Sequence, residues 1–200
     1  NRSRTSRRHW IGRRPQDNRW ITSDAFDFVT GAYEDGYGDG LGGVTHIRKV
    51  FFKRSEYWIV HDLLVGSTDE VGEVTASVQY QFGSPGVTAE SGGAVIVSHN
   101  PDANLAIFPI SDRPLHVDLH EGEEDPPKGW IAWSLHRALK TPATMAVISQ
   151  TTTLPIRMDT LLFPYPGATR PEVTIKRLPE DGPQRSALEI CGPGWRDVYH

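Results

Sequence analysis

Two histidines and an aspartate alternate along one short stretch and are residue types that bind metal ions. His116, Asp118 and His120 lie at positions i, i+2 and i+4, and Glu121 and Glu123 follow. Alternate side chains of a β-strand point to the same side, so the three could offer imidazole and carboxylate ligands to zinc. The same spacing fits the solvent-facing side of an antiparallel strand whose other side is apolar. No second cluster with ligand spacing completes a metal site, which favours the solvent-facing interpretation.

The motifs of two hydrolase classes are missing. A Ser-His-Asp hydrolase often carries a Gly-x-Ser-x-Gly turn, and many zinc proteases carry His-Glu-x-x-His; neither occurs here. The glycine-rich loop from Glu34 to Gly43 is followed by no helical pattern that would present amide groups to a phosphate. Its three acids lack the spacing of an EF-hand calcium loop, so we predict a connecting loop.

Three of the six histidines outside the alternating cluster are His46, His61 and His99. By composition alone, His46 is an alternate-face residue of a strand, where a histidine is most often a hydrogen-bonded structural residue. His61 precedes Asp62 and His99 precedes Asn100, and we interpret both histidines as surface or loop residues. The residues alone leave the catalytic groups unknown.

The strongest structural signal is a β-hairpin over residues 44–66. His46, Arg48 and Val50 occupy alternate positions, and a second run of aromatic and β-branched residues begins at Tyr57 after a charged turn. Such runs predict two well-buried strands. An isolated hairpin could not bury these side chains, so the hairpin needs the later strands.

Strand patterns separated by turn signals fill most of the chain, and no segment shows a strong amphipathic helix. This arrangement is typical of a sandwich or barrel. We predict an all-β fold, an antiparallel β-sandwich of about eleven short strands. The strand patterns lie at residues 25–34, 44–52, 57–66, 71–82, 94–97, 105–108, 114–120, 129–139, 143–153, 156–163 and 173–178.

The composition is that of a folded, β-rich domain. The chain has 200 residues, 38% of them hydrophobic, with 19 glycines and 15 prolines, which suffices for one domain with a core. No apolar run approaches the roughly 20 residues of a membrane helix, so we expect no membrane partner. The single cysteine, Cys191, excludes an intrachain disulfide and a cysteine metal cluster.

Charge is distributed unevenly along the chain. The first twenty residues hold seven arginines and one aspartate, whereas the whole chain has a net charge of −4. Clustered arginines suit a nucleic-acid or polyanion arm, but short basic runs are common at chain ends. We favour the second interpretation and expect no nucleic-acid partner. We predict a basic N-terminal arm (1–19), a β-sandwich domain (20–178) and an irregular C-terminal tail (179–200).

The hairpin also resembles a stretch of the heparinase II/III-like proteins, which are polysaccharide lyases. Their C-terminal β-sandwich domain carries the pattern His-x-Arg-x-Val-x-Phe-x-Lys-x-x-Tyr-Trp-(Ile/Val)-Val-x-Asp. The matching residues, with one residue fewer or more in the turn, are His46, Arg48, Val50, Phe52, Lys53, Tyr57, Trp58, Ile59, Val60 and Asp62. Shorter similar pieces lie at 26–33, 36–38, 129–131, 154–157 and 161–164. Together they extend the resemblance over most of the predicted sandwich domain.

The resemblance implies a part in β-elimination on a uronic-acid polysaccharide, in a parent protein that is periplasmic or secreted. It also implies zinc at His46, although the other ligands in the family lie upstream of the matching region. Most catalytic groups of the family belong to a helical toroid that precedes the sandwich, and nothing here has its long helical periodicity. We therefore expect this chain to be inactive alone, with the polysaccharide and the missing N-terminal toroid as partners. The aromatic residues expected to stack on sugar rings or to pack on the toroid are Trp10, Trp20, Tyr33 and Tyr37.

Two functions stay open at this point. The chain is either the sandwich domain of a lyase, forming one wall of the substrate cleft, or a free-standing carbohydrate-binding or structural module. Both predict a β-sandwich, so the fold cannot separate them. A reading frame that extends several hundred residues upstream with helical periodicity would support the lyase.

Overall fold

The chain folds into antiparallel β-sheets with almost no helix. The computed structural model describes residues 18–34, 37, 43–66, 72–134, 139–182 and 185–200. These residues form eighteen strands and one short 3-10 turn at Ser91–Gly93, which confirms the predicted all-β fold class. No helix in the described part of the chain has the length and apolar character needed to cross a membrane. The strands are β1 (Arg19–Thr22), β2 (Phe26–Tyr33), β3 (Val44–Lys53), β4 (Tyr57–Gly66), β5 (Val74–Gln81), β6 (Val87–Glu90), β7 (Val95–Ser98), β8 (Ala103–Ile110), β9 (His116–His120), β10 (Glu123–Glu124), β11 (Pro127–Lys128), β12 (Trp130–Ser134), β13 (Leu139–Pro142), β14 (Met145–Thr152), β15 (Ile156–Pro166), β16 (Thr174–Arg177), β17 (Leu188–Gly192) and β18 (Trp195–Tyr199).

The chain divides into two compact units. The first is built from residues 1–74, 152–161 and 171–200, and the second from residues 75–151 and 162–170. The first unit is therefore discontinuous in sequence, and strand β15 begins in the first unit and ends in the second. The predicted division into arm, sandwich domain and tail stays a prediction, apart from the tail, which is considered below.

In the first unit the hairpin β3–β4 lies between β2 and β15 in the strand order β1-β2-β3-β4-β15, and β16, β17 and β18 form a separate sheet. The hairpin is in register from Lys53 opposite Tyr57 to Val44 opposite Gly66. Its turn places Ser55 in the left-handed region, with φ 62°. A serine can adopt this conformation at modest cost in a tight turn, and the turn therefore fixes the register of the whole hairpin.

One face of β4 is fully buried and carries Ile59, His61 and Leu63. The prediction that His61 is a surface or loop residue is wrong, because His61 lies two residues from both Ile59 and Leu63 and shares their face. Its neighbour Asp62 points to the other side. In the sequence, the two adjacent polar residues His61 and Asp62 suggest an exposed position, whereas the alternation along β4 places His61 in the interior. His99 is exposed, in agreement with its interpretation.

The second unit has its own apolar core. Its sheets follow the strand orders β5-β14-β9 and β15-β8-β7-β6. Strand β14 lies opposite β9, so that Ile148 meets Val117 and Ala146 meets Leu119. The core of this unit consists of Phe82, Val87, Ile96, Ile107, Ala146 and Ile148.

The eleven predicted strands are present, and seven further short strands occur among the described residues. The predicted irregular tail is wrong for residues 188–199, which form the hairpin β17–β18. Gly192 lies opposite Trp195, so the Pro193-Gly194 pair is a two-residue turn with Gly194 at φ 80°. Glycine and proline mark this turn and do not indicate an irregular segment. Residues 1–17, including Trp10, and most of the 34–43 loop lie outside the described residues.

Candidate functional site

The hairpin β3–β4 has two faces, and each carries a histidine bonded to an aspartate. Residues opposite each other in an antiparallel pair share a face. Arg48 lies opposite Asp62, whereas Lys49 lies opposite His61. We name the two faces the His46 face and the His61 face.

The residues predicted to form a site share the His46 face. Tyr33 on β2 lies opposite His46, and Trp20 on β1 lies opposite Val29, which is four residues before Tyr33 on β2. Tyr37, just after β2, contacts His46 through its hydroxyl. The structure therefore brings Tyr33, Tyr37 and His46 together and places Trp20 further along the same face.

The centre of this face is the His46 cluster, in which Tyr37, His46, Arg48 and Asp62 are joined by hydrogen bonds and Tyr33 packs its ring against Tyr37. The Nε2 of His46 lies 2.6 Å from the Oδ1 of Asp62, and its Nδ1 lies 2.8 Å from the Tyr37 hydroxyl. Arg48 donates from Nε to Oδ1 of Asp62 at 2.7 Å and from Nη2 to Oδ2 at 3.0 Å. Asp62 and His46 are buried. The Asp62 carboxylate at the centre of the cluster therefore forms hydrogen bonds with both the histidine and the arginine.

The protonation of the cluster follows from these bonds. Burial raises the pKa of Asp62, but hydrogen bonds and charge from His46 and Arg48 outweigh it, so the pKa is lowered overall and the carboxylate is ionised near neutral pH. A neutral His46 donates its Nε2 proton to Asp62 and accepts the Tyr37 hydroxyl proton at Nδ1. Burial, with Tyr33 and Asp62 nearby, raises the pKa of Tyr37. Tyr37 is therefore a phenol at neutral pH.

This arrangement can hold and orient an anionic group, and the raised pKa of Tyr37 makes that phenol a poor general base. A general base needs a pKa near the working pH, and the raised pKa of Tyr37 keeps its proton in place. The Asp62 carboxylate is used by His46 and Arg48. The Arg48 side chain is 44% exposed, and a guanidinium held by a buried carboxylate is a rigid cation for a carboxylate or sulfate.

Several aromatic rings lie on the same face of the sheet as Arg48. Trp20 is 69% exposed. Phe52 and Trp58 lie opposite each other and stack with centroids 4.4 Å apart at an interplanar angle of 7°. Tyr33 meets Tyr37 edge to face at 5.6 Å. Exposed and half-buried rings on the same face as an arginine can contact the apolar faces of polar ring compounds.

Comparison with known proteins identifies solved structures that share the fold of this chain. No family model and no curated protein sequence matches the chain. The heparan sulfate lyase HepC from Pedobacter heparinus is similar with a TM-score of 0.73 and 16% identity, over 91% of this chain and 27% of that chain. A heparinase III structure is similar with a TM-score of 0.69 and 14% identity over the same shares. This chain shares its fold with part of heparinase III. At this identity the heparinase similarity concerns the fold, and the chain spans 27% of the length of these structures.

Zinc at His46 is implied by the heparinase resemblance, with its other ligands expected upstream of the matching region. Both ring nitrogens of His46 have protein partners. Zinc sites use at least three protein ligands, and no group of three His, Cys, Asp or Glu side chains within the described ranges could hold a metal ion. Zinc at His46 stays a prediction. His116 bonds to Asp118, and His120 bonds to Glu123, so the alternating cluster is paired on the sheet surface.

The importance of Arg48 and Asp62 as a pair was not recognised from the sequence beyond their place in the family pattern. The sequence nevertheless contains the information for this pair, because closing the turn with Lys53 opposite Tyr57 puts Arg48 opposite Asp62. Counting from the turn would therefore have predicted the cross-strand ion pair.

The lowered pKa of Asp62 gives a testable pH dependence of stability. A carboxyl whose folded pKa lies below its unfolded value binds more protons when unfolded, so its contribution is present above the unfolded pKa and is lost as the pH falls. We expect the stability difference between the wild type and Asp62→Asn to shrink as the pH falls below about 5. Urea unfolding of both proteins across this range measures the difference. A constant difference would contradict the assigned ionisation.

Proposed function

We propose that this chain is the β-sandwich domain of a heparinase-like polysaccharide lyase, which cleaves a uronic-acid polysaccharide by β-elimination, and that it forms one wall of the substrate cleft. The observation that carries the proposal is the shared fold with part of a heparan sulfate lyase structure and part of a heparinase III structure. The proposal also follows the sequence resemblance at the β3–β4 hairpin.

The His46 face supports this function by its chemistry. Arg48 offers a fixed cation for the acidic groups of the polymer. Trp20 and the Phe52–Trp58 stack offer ring faces. In the proposed lyase these groups position the chain of sugars, while Tyr37 remains protonated and the proton-abstracting base comes from the helical part of the parent protein. A periplasmic or secreted location of that parent stays a prediction.

Activity tests the proposal directly. The new carbon–carbon double bond of the product absorbs ultraviolet light, and heparan sulfate and other uronate polymers are suitable substrates. We expect no turnover by this chain alone and turnover by a longer gene product that includes a helical region upstream. Turnover by the chain alone would show that the base lies within it. A longer product that binds the polymer without cleaving it would favour a carbohydrate-binding module.

Binding by the His46 face can be tested on this chain. We expect Trp20→Ala to weaken binding to immobilised heparan sulfate about threefold to tenfold, the loss of one aromatic contact. Leu139→Ala removes another exposed apolar side chain, 53% exposed and in the second unit, and serves as the matched control. Equal affinities of the two variants would argue against Trp20 as a contact residue.

A further inference from the structure

The His61 face borders a pocket that the proposed lyase function does not use. It has a volume of about 570 Å³ and lies within the first unit. Ligand sites for small molecules commonly have volumes of about 300–1,000 Å³. The residues that matter for its chemistry are Lys49, His61, Asp181, Arg185, Ser186 and Tyr199.

Two residues that line this pocket each carry a buried polar atom with no hydrogen-bond partner among the described residues, namely the Nε2 of His61 and the Oγ of Ser186. His61 is 1% exposed and Ser186 is 5% exposed. The other ring nitrogen of His61, Nδ1, lies 2.6 Å from Oδ1 of Asp159. Buried polar atoms are nearly always satisfied in native proteins, so two such atoms in residues that line one pocket point to a polar ligand.

The buried charges beneath the pocket compensate one another. Asp159 is bonded to His61 and lies 2.7 Å from Nη2 of Arg177. Glu180 is paired with Arg157 and Arg177 and also accepts from the Ala187 amide. These two carboxylates and two arginines leave no net charge.

The remaining charges on the pocket favour an anion. Lys49 lies opposite His61 in the β3–β4 ladder, and Arg185 and Asp181 are exposed residues on the pocket. Among the described side chains that line the pocket outside the paired charges beneath it, two are cationic and one is a carboxylate. Burial, with Arg185 nearby, lowers the pKa of Lys49 even though Asp159 acts in the opposite direction. An anion bound beside Lys49 would stabilise its charged form.

The walls of the pocket combine ring surfaces with hydroxyl-binding groups. Phe28 and Tyr199 provide aromatic surface, and Ser186, His61 and Asp181 provide hydrogen-bonding groups. A ligand that matches this set has one negative charge, several hydroxyl groups and apolar ring faces. We propose that the pocket binds a carboxylate-bearing sugar, with the carboxylate held by Lys49 and Arg185 and a hydroxyl group held by His61 Nε2 and Ser186 Oγ.

Calorimetry on the full chain with glucuronate as the probe tests this inference. We expect saturable binding with a Kd of about 1 mM, as for a small polar ligand. Glucose has the hydroxyl groups without the carboxylate, and acetate has the carboxylate without the hydroxyl groups. We expect each to bind at least about tenfold more weakly than glucuronate. Glucuronate should also shift the ¹⁵N resonance of His61 Nε2. No saturation, or equal binding of acetate or inorganic sulfate, would overturn the sugar assignment.

Variants separate binding from folding. Arg185→Ala changes an exposed residue and is expected to weaken glucuronate binding about tenfold. Arg113→Ala, at an exposed arginine of the second unit, is the matched control and should bind as the wild type does. Ser186→Ala removes an unpartnered hydroxyl, so we expect it to keep the thermal stability of the wild type and to bind more weakly. Unchanged binding in both Arg185→Ala and Ser186→Ala would refute the site. The result does not depend on the lyase proposal, which is decided by the activity of the longer protein.

Discussion

Replacing Asp159 with alanine is expected to lower the free energy of unfolding by about 3–5 kcal/mol. Asp159 is 0% exposed and is the partner of both His61 and Arg177. Its removal leaves a buried imidazole and a largely buried guanidinium without their carboxylate, and breaking a buried pair from one side costs far more than the pair contributes. Urea unfolding followed by tryptophan fluorescence measures the change.

An exposed aspartate of the same unit provides the control for Asp159. Asp24 lies in the turn between β1 and β2, and we expect Asp24→Ala to change the free energy of unfolding by no more than about 0.5 kcal/mol. If Asp159→Ala and Asp24→Ala had similar effects, the His61–Asp159–Arg177 network would not stabilise the fold as its burial implies.

Asp62→Ala is expected to lower the free energy of unfolding by about 2–3 kcal/mol, less than Asp159→Ala. Asp62 is buried and serves His46 and Arg48, but the half-exposed Arg48 side chain can regain water when its partner is lost. Because Asp62 also fixes the His46 ring, the hydrogen bond from the Tyr37 hydroxyl to Nδ1 should weaken. Urea unfolding gives the energy, and histidine NMR gives the change at Nδ1.

The isosteric variant Asp62→Asn separates shape from charge at this position. It keeps the volume and one acceptor oxygen, so we expect a smaller loss of stability than in Asp62→Ala, measured at pH 7 by the same unfolding assay. A loss as large as that of the alanine variant would mean that the charge alone carries the interaction. A negligible loss in both variants would contradict the structural role of the cluster.

The sequence was sufficient for features that depend on nearby residues. The β3–β4 hairpin follows from alternation on both sides of a charged turn, and the strand pattern at residues 25–34 predicts β2, which carries Tyr33. Predicting the Arg48–Asp62 pair requires the register of the hairpin. The turn residues specify that register only once the closing pair is known. His61 was misplaced because its polar neighbour Asp62 outweighed the period-two pattern of Ile59 and Leu63.

Features that depend on distant residues were beyond local patterns. Asp159 lies 98 positions after His61 in the sequence, and no spacing rule connects them. The seven additional strands are short, and a two-residue strand such as β10 carries no alternation that could be recognised. At β17–β18 the composition alone was misleading, because the same Gly and Pro residues that predict an irregular tail also form a tight hairpin turn.

The discontinuous first unit has a consequence for protein synthesis. A ribosome releases β4 long before it reaches β15, so the nascent chain presents the His61 imidazole without its carboxylate until residue 159 has emerged. The first unit therefore cannot complete its interior until residues 152–161 and 171–200 have emerged, and any chain cut short within the second unit would keep that imidazole unpaired. A shortened version for expression has to retain residues 152–161 and 171–200 together with the N-terminal segment.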